Sequence, residues 1–589
     1  MSSLRSQLTT IVSDAFAAGG YDRQYGEVTL SNRPDLAQFQ CNGALAAAKR
    51  YGRQPRQMGE EVANRLQQLP YFQSVSIAGP GFINLTVTDA FLTEQASQVT
   101  ADARRGCAVT ETPHKMIVDY GGANVAKPMH VGHLRAAIIG ESIKRVCRFV
   151  GHVVLGDVHL GDWGLPMGQI IAELADRHPE WPYFDPTYSG PYPAESPVSI
   201  ADLEEIYPTA SQRTKADSDF AQRARQATNE LQRGRPGYRA LWQHFVTVSV
   251  AELKRDYGDI HVEFDLWLGE SDTQPILAPL IAGLRTAGFA QESEGALIVD
   301  VMKPDEKREI PPLILEKSDG AVLYGTTDLA TIQQRVQDLA AEVILYVVDN
   351  RPSLHFEQVF RAAHKTGIAP EHVGLEHLGF GTMNGQDGKP FKTRTGGVMK
   401  LRSLIDMITD KARERLEEVK MAQEYPPAEK EAIARMVGVA TLKFADLSNQ
   451  RTGDYIFDLE RFSSFEGRTG PYLLYTVART KSILRKAVDE ALTFGPLQKP
   501  VDEDERDLLL KLLELPDVVE LAFAQRMPHH LCEYAYTLAT SFNRFYHKHH
   551  ILSEADPAQQ ASWLALTACV VGTLALVLDL LGIPVPERM

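Results

Sequence analysis

The feature that most constrains the fold of this chain is a strand that leads, through a short turn, into two histidines and a helix. The apolar run KMIVDY at 115–120 predicts a strand, and residues 133–149 predict a helix with its apolar side chains on one side. The turn before this helix contains HVGH, residues 130–133. This order predicts a parallel α/β unit, in which phosphate groups are usually held at the N-terminus of the helix.

The residue types at this turn suit a nucleotide. His130 and His133 could each direct a ring N–H at phosphate oxygens, and Gly132 would let a flat base lie against bare backbone. Lys127, just upstream, could neutralise charge that develops on an α-phosphate. A capped helix start with solvated histidines is an equally good interpretation of HVGH alone, so other parts of the chain have to decide.

The length of 589 residues predicts about three domains. Helical patterns at 3–18 and 57–68, with short strands at 74–78 and 81–87, predict a small α/β domain in residues 1–110.

The rest of the chain divides into two further domains. Alternating strands and helices in residues 111–440, with a buried strand at 342–349, predict a Rossmann-like α/β domain of the nucleotide-binding type built on a parallel sheet. A polar segment at about 175–255 predicts a mostly helical insertion in this domain. Residues 441–589 predict an all-α domain.

Composition narrows the function classes. The net charge of −15 argues against a protein that coats nucleic acid nonspecifically, although a local basic surface can still face a structured RNA. The apolar run at 563–578 is shorter than a membrane span and predicts a buried helix. The N-terminus lacks the apolar core of a secretory signal, and the five cysteines form no CxxC pair. We expect a cytoplasmic protein with no membrane segment and, by default, a monomer.

Three stretches, which follow one another in the order that the family shows, resemble the bacterial type of the arginyl-tRNA synthetases. These enzymes are class I aminoacyl-tRNA synthetases. The first is IVDYGGANVAKPMHVGHLRAAIIGESIKR with HLGDWGLPMG at 159–168, which carries the family's HIGH signature. The second is FGTMNGQDGKPFKTRTGG at 380–397, which corresponds to the KMSKS loop. The third comprises GRTGPYLLYTVARTKSILRK at 467–486, SFNRFYH at 541–547 and the terminal PERM, which resemble the helical anticodon-binding domain. The resemblance covers essentially the whole chain.

The resemblance implies an arginine–tRNA ligase that uses ATP with Mg²⁺ and has no structural metal of its own. The partners that it implies are L-arginine, ATP and tRNA(Arg). The implied catalytic residues are Lys127, His130, Gly132, His133, Lys389, Lys392 and Arg394. The implied ATP-binding residues are His130, Gly132, His133, Gly161, Asp162 and Lys392.

Selection of arginine requires a carboxylate that faces the guanidinium group. Tyr324 and Asp328 are four residues apart and would share one face of a helix. The resemblance implies that these two residues and Glu270 hold the arginine side chain, and that Asn124 and His133 lie at its α-amino and carboxylate end. Without the resemblance, a core aromatic, a helix cap and a surface charge would be the preferred interpretations of Tyr324, Asp328 and Glu270.

This chain departs from the family pattern in three places. Ala123 stands where a proline is common, and Pro352 stands where many members carry a glutamine of the arginine pocket. In the KMSKS-like loop, the place of the second lysine falls near Thr393, one residue after Lys392. The resemblance implies that Lys127 substitutes for that loop lysine.

Two regions are predicted to contact tRNA. By resemblance, RPDLAQFQCNG at 33–43 reaches the corner of the tRNA, where Phe39 could stack on a base and Gln40 could hydrogen-bond to one. Arg479, Lys481 and Arg485 could contact phosphates along the anticodon arm. A buried phenylalanine and a solvated helix face are the simpler alternatives.

Two other functions remain to be weighed against this one. A small-molecule nucleotidyltransferase also uses HxGH, but such enzymes are compact and need no long extensions that reach RNA. A non-catalytic tRNA-binding relative would be expected to lose the histidines or the lysine, whereas His130, His133 and Lys127 are all present.

Overall fold

The structure of the chain, a computed structural model, divides into two units. The first contains Met1–Thr110, Val419–Met436 and Ser464–Met589, and the second contains Glu111–Glu418 and Val437–Ser463. The structure describes residues 3–33, 35–304, 306–318, 320–389, 399–421 and 424–589. The bounds of the three predicted domains stay predictions.

The N-terminal segment combines four helices with an antiparallel sheet of order β1-β2-β4-β3. The predicted helices and the second pair of strands are present, whereas β1 and β2 were not predicted because each has only three residues. The elements are α1 (Leu4–Ala18), β1 (Val28–Leu30), β2 (Phe39–Cys41), α2 (Gly43–Tyr51), α3 (Pro55–Leu66), β3 (Phe72–Ala78), β4 (Phe82–Val87) and α4 (Asp89–Ala101).

The middle of the chain alternates strands and helices and then becomes helical. Its first elements are β5 (Lys115–Asp119), α5 (Val131–Phe149), β6 (Val153–Asp157), α6 (Leu165–Arg177), α7 (Ile200–Ala216), α8 (Ser218–Gln232), α9 (Pro236–Asp259) and α10 (Glu270–Thr286). They are followed by β7 (Ala290–Ser293), β8 (Ala296–Val299), β9 (Leu313–Glu316), α11 (Tyr324–Gln337), β10 (Val343–Tyr346), α12 (Ser353–Lys365), β11 (Gly374–His377) and β12 (Met383–Asn384). The last are α13 (Leu401–Glu418), α14 (Pro427–Leu447), β13 (Tyr455–Ile456) and α15 (Leu459–Phe462).

The carboxyl-terminal segment from Gly470 onward is all-α as predicted, whereas the short strand β13 also lies within the predicted range 441–589. Its helices are α16 (Gly470–Asp489), α17 (Glu503–Leu513), α18 (Leu515–Gln525), α19 (His529–Lys548) and α20 (Pro557–Leu580). In the described part of the chain, α20 alone is long and apolar enough to cross a membrane, and about two thirds of its most apolar window is buried in the protein. That burial agrees with the prediction of a core helix.

The four central strands form a parallel sheet of order β11-β10-β5-β6. The Rossmann-like fold class is therefore confirmed. In this sheet β6 lies on one side of β5, and β10, which follows much later in the chain, lies on the other side of β5. Such a switch point opens a crevice at the carboxyl ends of the strands, where ligands bind in open α/β sheets.

The predicted insertion is present as α7, α8 and α9. Its apolar core includes Leu203, Leu231 and Phe245 of the three helices. The same core contains Val125 and Ala126, which lie in the turn after β5. The insertion therefore packs directly against the residues that precede HVGH.

One buried arginine joins α11 to the sheet. The strand register sets Tyr346, Asp119 and Asp157 side by side at the carboxyl ends of β10, β5 and β6. Arg335 of α11 is fully buried, and its Nη2 lies 2.6 Å from Asp119 Oδ2 and 2.7 Å from Asp157 Oδ2. Its guanidinium carbon is 5.3 Å from the centroid of the Tyr346 ring. A buried charge is tolerated only beside an opposite charge, so this contact holds α11 against the carboxyl ends of the strands.

We predict that Arg335→Met lowers the free energy of unfolding of this unit by about 3–5 kcal/mol, because it leaves two carboxylates buried without a counter-charge. Tryptophan fluorescence during urea unfolding measures the loss, since Trp563 alone of the five tryptophans lies outside this unit.

The matched control is Arg223→Met, which breaks the exposed ion pair of Arg223 with Asp176. Exposed pairs contribute about 0–1 kcal/mol, so a loss of that size in Arg335→Met would contradict the importance of the buried contact.

Candidate active site

The HVGH turn begins α5 with histidine side chains in the capping positions. His130 is the N-cap residue, and its Nδ1 accepts the N–H of Gly132 at 3.0 Å. In return, the Nδ1 of His133 accepts the N–H of His130 at 3.3 Å, and the two rings stack with centroids 3.8 Å apart. A neutral imidazole that accepts at Nδ1 carries its proton on Nε2. Both rings can therefore donate a hydrogen bond from Nε2.

The backbone N–H groups of this first turn are already engaged. Val131 N–H donates to the carbonyl of Met399 at 3.0 Å, and His133 N–H donates to the carbonyl of His130 at 2.9 Å. Gly132 N–H is bound by His130. The expectation that the helix N-terminus itself holds phosphate is therefore corrected, because side chains have to supply the donors.

Both histidines are neutral at physiological pH. Burial lowers the pKa of His133 to about 3, with further contributions from His130 and the charge of Lys127. Burial and Lys127 also lower the pKa of His130. The positive charge of the turn thus resides on Lys127.

Lys127 follows a strained residue. Ala126 is buried with φ of 62°, a left-handed conformation that is rare for a residue with a side chain. Its N–H donates to the Oγ of Ser249 in α9 at 3.0 Å. The Lys127 Nζ lies 4.6 Å from the ring centroid of Tyr207 in α7. Strain of this kind persists only where the surroundings enforce it.

A cavity of about 370 Å³ lies beside this turn. Asn124 and Gly161 pair as a parallel bridge on its wall, and a Cβ atom on Gly161 would come within 2.4 Å of Asn124 Oδ1. Only glycine permits this approach. The predicted residues that line the cavity are Asn124, Lys127, Gly161, Glu270 and Tyr324.

Among the described residues, Glu270 supplies the carboxylate that lines the cavity. Burial, together with the nearby charges of Asp162 and Asp328, raises the pKa of Glu270 to about 7. Asp162 is buried, and its two oxygens accept the N–H and hydroxyl of Ser271 at 3.0 and 2.6 Å. Close carboxylates disfavour one another's charge, so a bound cation would stabilise this group.

The spacing prediction for Tyr324 and Asp328 holds, since both lie in the first turns of α11. The Tyr324 side chain is exposed, with 73% of the residue accessible. Asp328 Oδ2 lies 2.5 Å from His355 Nε2, and this contact raises the pKa of His355. His355 was missed because it follows Asp328 by 27 residues and no pattern in its own segment marks it.

The cavity also contains residues that the sequence did not single out. Trp163 and Gln274 line it, and the Trp163 indole N–H donates to Gln274 Oε1 at 2.9 Å.

Two residues that depart from the family pattern also lie near the site. Ala123 is buried, and its carbonyl accepts the N–H of Gly161 at 3.0 Å. Pro352 caps the N-terminus of α12, three residues before His355.

The segment that contains the second motif, residues 380–397, is connected to α5 and to the residues just before it. After the motif, Leu401 N–H donates to the Met129 carbonyl at 2.9 Å. Within the motif, β12 pairs with β13, where the Tyr455 hydroxyl donates to Asp446 Oδ2 at 3.0 Å. Asp446 also accepts from Arg135 of α5 at 3.0 Å. Lys389 is exposed at the end of a tight turn, whereas Lys392, Thr393 and Arg394 lie outside the described residues.

The predicted tRNA contacts of the N-terminal segment are partly hidden. Phe39 lies in β2 with 4% of its surface exposed, so a base could stack on it only after the side chain moved. Gln40 donates from Nε2 to Asn84 Oδ1 at 3.0 Å.

The three predicted tRNA contacts of α16 all have partners in the protein. The guanidinium of Arg479, which is exposed, lies 4.7 Å from the ring centroid of Tyr546. Glu587 accepts from Lys481 at 2.7 Å through its side chain and from Arg485 at 2.8 Å through its carbonyl.

Three family models match the chain in succession. Residues 2–87 match the arginyl tRNA synthetase N-terminal domain, residues 95–459 the catalytic domain of class I tRNA synthetases (R), and residues 473–589 the DALR anticodon binding domain.

The chain is also similar to whole proteins. It is 52% identical to the arginine–tRNA ligase of Alkaliphilus oremlandii and 50% identical to that of Hyphomonas neptunium, with all of each chain covered. The arginyl-tRNA synthetase structures of Plasmodium falciparum and Thermus thermophilus have TM-scores of 0.80 and 0.79 at 23% identity, again over all of each chain. The two solved structures support the fold. The two arginine–tRNA ligases show that the sequence similarity covers the whole chain.

We predict that acid destabilises the protein through His133. The unfolded chain gains a proton near the ordinary histidine pKa of 6.5, whereas the folded His133 does so only at about 3. The neutral, folded state of His133 therefore costs no stability above pH 6.5. As the pH falls from 6.5 towards 3, the free energy of unfolding decreases, because only the unfolded chain gains the proton. His133→Asn, which keeps an acceptor for the His130 N–H, should reduce the loss in urea unfolding measured over a pH series.

The control is His372→Asn, which replaces an exposed histidine of the same unit. If His133→Asn and His372→Asn change the pH dependence equally, the low pKa of His133 is contradicted.

Proposed function

We propose how this chain, which belongs to the arginyl-tRNA synthetase family, carries out its reaction. The chain is an arginine–tRNA ligase that uses ATP. In the first step arginine and ATP give arginyl-adenylate and pyrophosphate. In the second step the arginyl group passes to the 3′ end of tRNA(Arg), which releases AMP.

The cavity beside HVGH receives arginine in this proposal. Glu270, Tyr324 and Asp328 hold the side chain, and Asn124 and His133 hold the α-amino and carboxylate end. The observation that carries the proposal is the Glu270 carboxylate on the cavity wall, whose burial, together with the charges of Asp162 and Asp328, raises its pKa to about 7. A guanidinium group is always charged and presents several N–H donors in one plane, so it satisfies two carboxylates at once.

ATP lies over the HVGH turn in this proposal. Gly132 is exposed, and a Cβ atom there would come within 2.7 Å of the His130 ring, so glycine allows the His130 ring and the open backbone to face a flat ring together. His130 and His133 donate from Nε2 to phosphate oxygens, and Gly161, Asp162 and Lys392 complete the nucleotide contacts. Mg²⁺ enters with ATP as part of the substrate.

Activation requires no proton transfer by the protein. The arginine carboxylate attacks the α-phosphate in line, and pyrophosphate leaves with the bonding electron pair. Lys127, together with Lys389, Lys392 and Arg394, stabilises the charge that develops on the phosphates. Because the two histidines are neutral, they add hydrogen bonds without bringing further buried charge.

The remaining assignments concern the tRNA contacts, the cellular location and the oligomeric state. Phe39 and Gln40 contact the corner of the tRNA, and Arg479, Lys481 and Arg485 contact the anticodon arm. For the last two, tRNA phosphates would replace Glu587 as the partner. We propose a cytoplasmic monomer.

The test of this function is tRNA-dependent ATP–pyrophosphate exchange measured with each amino acid. We expect exchange with arginine alone. His133→Ala should lower the exchange rate by about 10²-fold or more, as loss of an oxyanion donor does, and leave tRNA affinity nearly unchanged. Exchange with a different amino acid, or none with arginine, would overturn the proposal.

We predict that the KM for arginine rises as the pH falls below 7. Glu270, with a pKa of about 7, then becomes protonated and no longer pairs with the guanidinium, so KM rises by up to about tenfold per pH unit while kcat changes little. Glu270→Gln should lose most of this dependence and have a KM about 10- to 100-fold higher at alkaline pH.

His355→Gln is the matched control, since it removes a histidine of this site whose pKa is raised and leaves Glu270 in place. If its KM no longer rises at low pH while that of Glu270→Gln still does, the assignment to Glu270 fails.

A further inference from the structure

Helix α7 of the insertion contacts two lysines that flank the HVGH turn, Lys127 and Lys400, through two side chains. Tyr207 places its ring centroid 4.6 Å from the Nζ of Lys127. Glu204, three residues earlier and on the same face, binds the Nζ of Lys400 at 2.7 Å. The backbone of Lys400 pairs with that of His130. The helix is therefore fixed on both sides of the turn.

An aromatic ring is a suitable partner for a catalytic cation. A lysine side chain has four rotatable bonds and loses much entropy when it is held in one place. The face of an aromatic ring attracts the ammonium group but carries no net negative charge. The ring therefore positions the cation and leaves its charge available to a phosphate, whereas a carboxylate partner would neutralise it.

The position of Lys127 fits this role. Its charge contributes to the lowered pKa of both His130 and His133. The strained backbone at Ala126 fixes where the lysine begins, and the Tyr207 ring fixes where it ends.

We propose that Tyr207 is a positioning residue that holds the Lys127 ammonium beside the HVGH turn for the activation step. The proposal rests on the catalytic role proposed for Lys127. The insertion is then part of the machinery that activates the amino acid.

The test uses the full-length enzyme in tRNA-dependent exchange with arginine. Tyr207→Leu should lower kcat about five- to twentyfold, the range expected for loss of a partly desolvated cation–π contact, and change the KM for arginine by less than about twofold. Tyr207→Phe keeps the ring and should retain most of the rate. In a Lys127→Ala background, Tyr207→Leu should cause no further loss, since the two residues act as one pair.

Tyr238→Leu is the matched control. Tyr238 packs against the same apolar core of the insertion and lies under another cation, with the Arg235 guanidinium 4.0 Å from its ring centroid. Its replacement should leave kcat unchanged. Circular dichroism and the thermal transition establish that each variant is folded, and Tyr207→Met replaces Tyr207→Leu if the latter does not fold.

The outcomes separate the two proposals. If Lys127→Ala is slow but Tyr207→Leu has the normal kcat, or if Tyr207→Leu costs as much in the Lys127→Ala background, the inference about Tyr207 is overturned and the role of Lys127 stands. If Lys127→Ala has the normal kcat, the proposed role of Lys127 itself is wrong.

Discussion

The contact between Arg335 and the two aspartates of the sheet edge sets the geometry on which the site depends. Asp119 and Asp157 end the two strands that lead into the HVGH turn and into the Gly161 loop. Arg335 lies on the same helix as Tyr324 and Asp328. The strand register thus determines, through one guanidinium group, how far the proposed arginine contacts lie from the turn that is proposed to face ATP.

The site separates its charges into two parts. The proposed arginine cavity is lined by the Glu270 carboxylate, which a bound guanidinium group would compensate. The HVGH turn has neutral histidines and Lys127, and its backbone N–H groups are bound within the protein. Hydrogen-bond donors and charge are therefore supplied by side chains whose positions depend on other elements, among them α7 and the residues after the second motif.

The sequence predicted what depends on local periodicity. The strand at 115–120, the helix after HVGH, the insertion and the shared face of Tyr324 and Asp328 are present because each follows from neighbouring residues. The contact of His355 with Asp328 and that of Tyr207 with Lys127 join segments far apart in the chain, so a single sequence gives no sign of them. Phe39 shows a different limit. The motif around it predicts that it contacts tRNA, but the motif does not predict that its side chain is buried.

The shared core of the insertion and the turn after β5 has a consequence for the modular evolution of this enzyme. Insertions at surface loops usually add or remove residues at little cost to the parent domain. Here Val125 and Ala126 belong to the core of the inserted helices, and Ser249 of the insertion holds the strained Ala126. Excision would expose Val125 and Ala126 and remove the Ser249 hydrogen bond, so the insertion could be gained or lost only together with a rebuilt turn after β5.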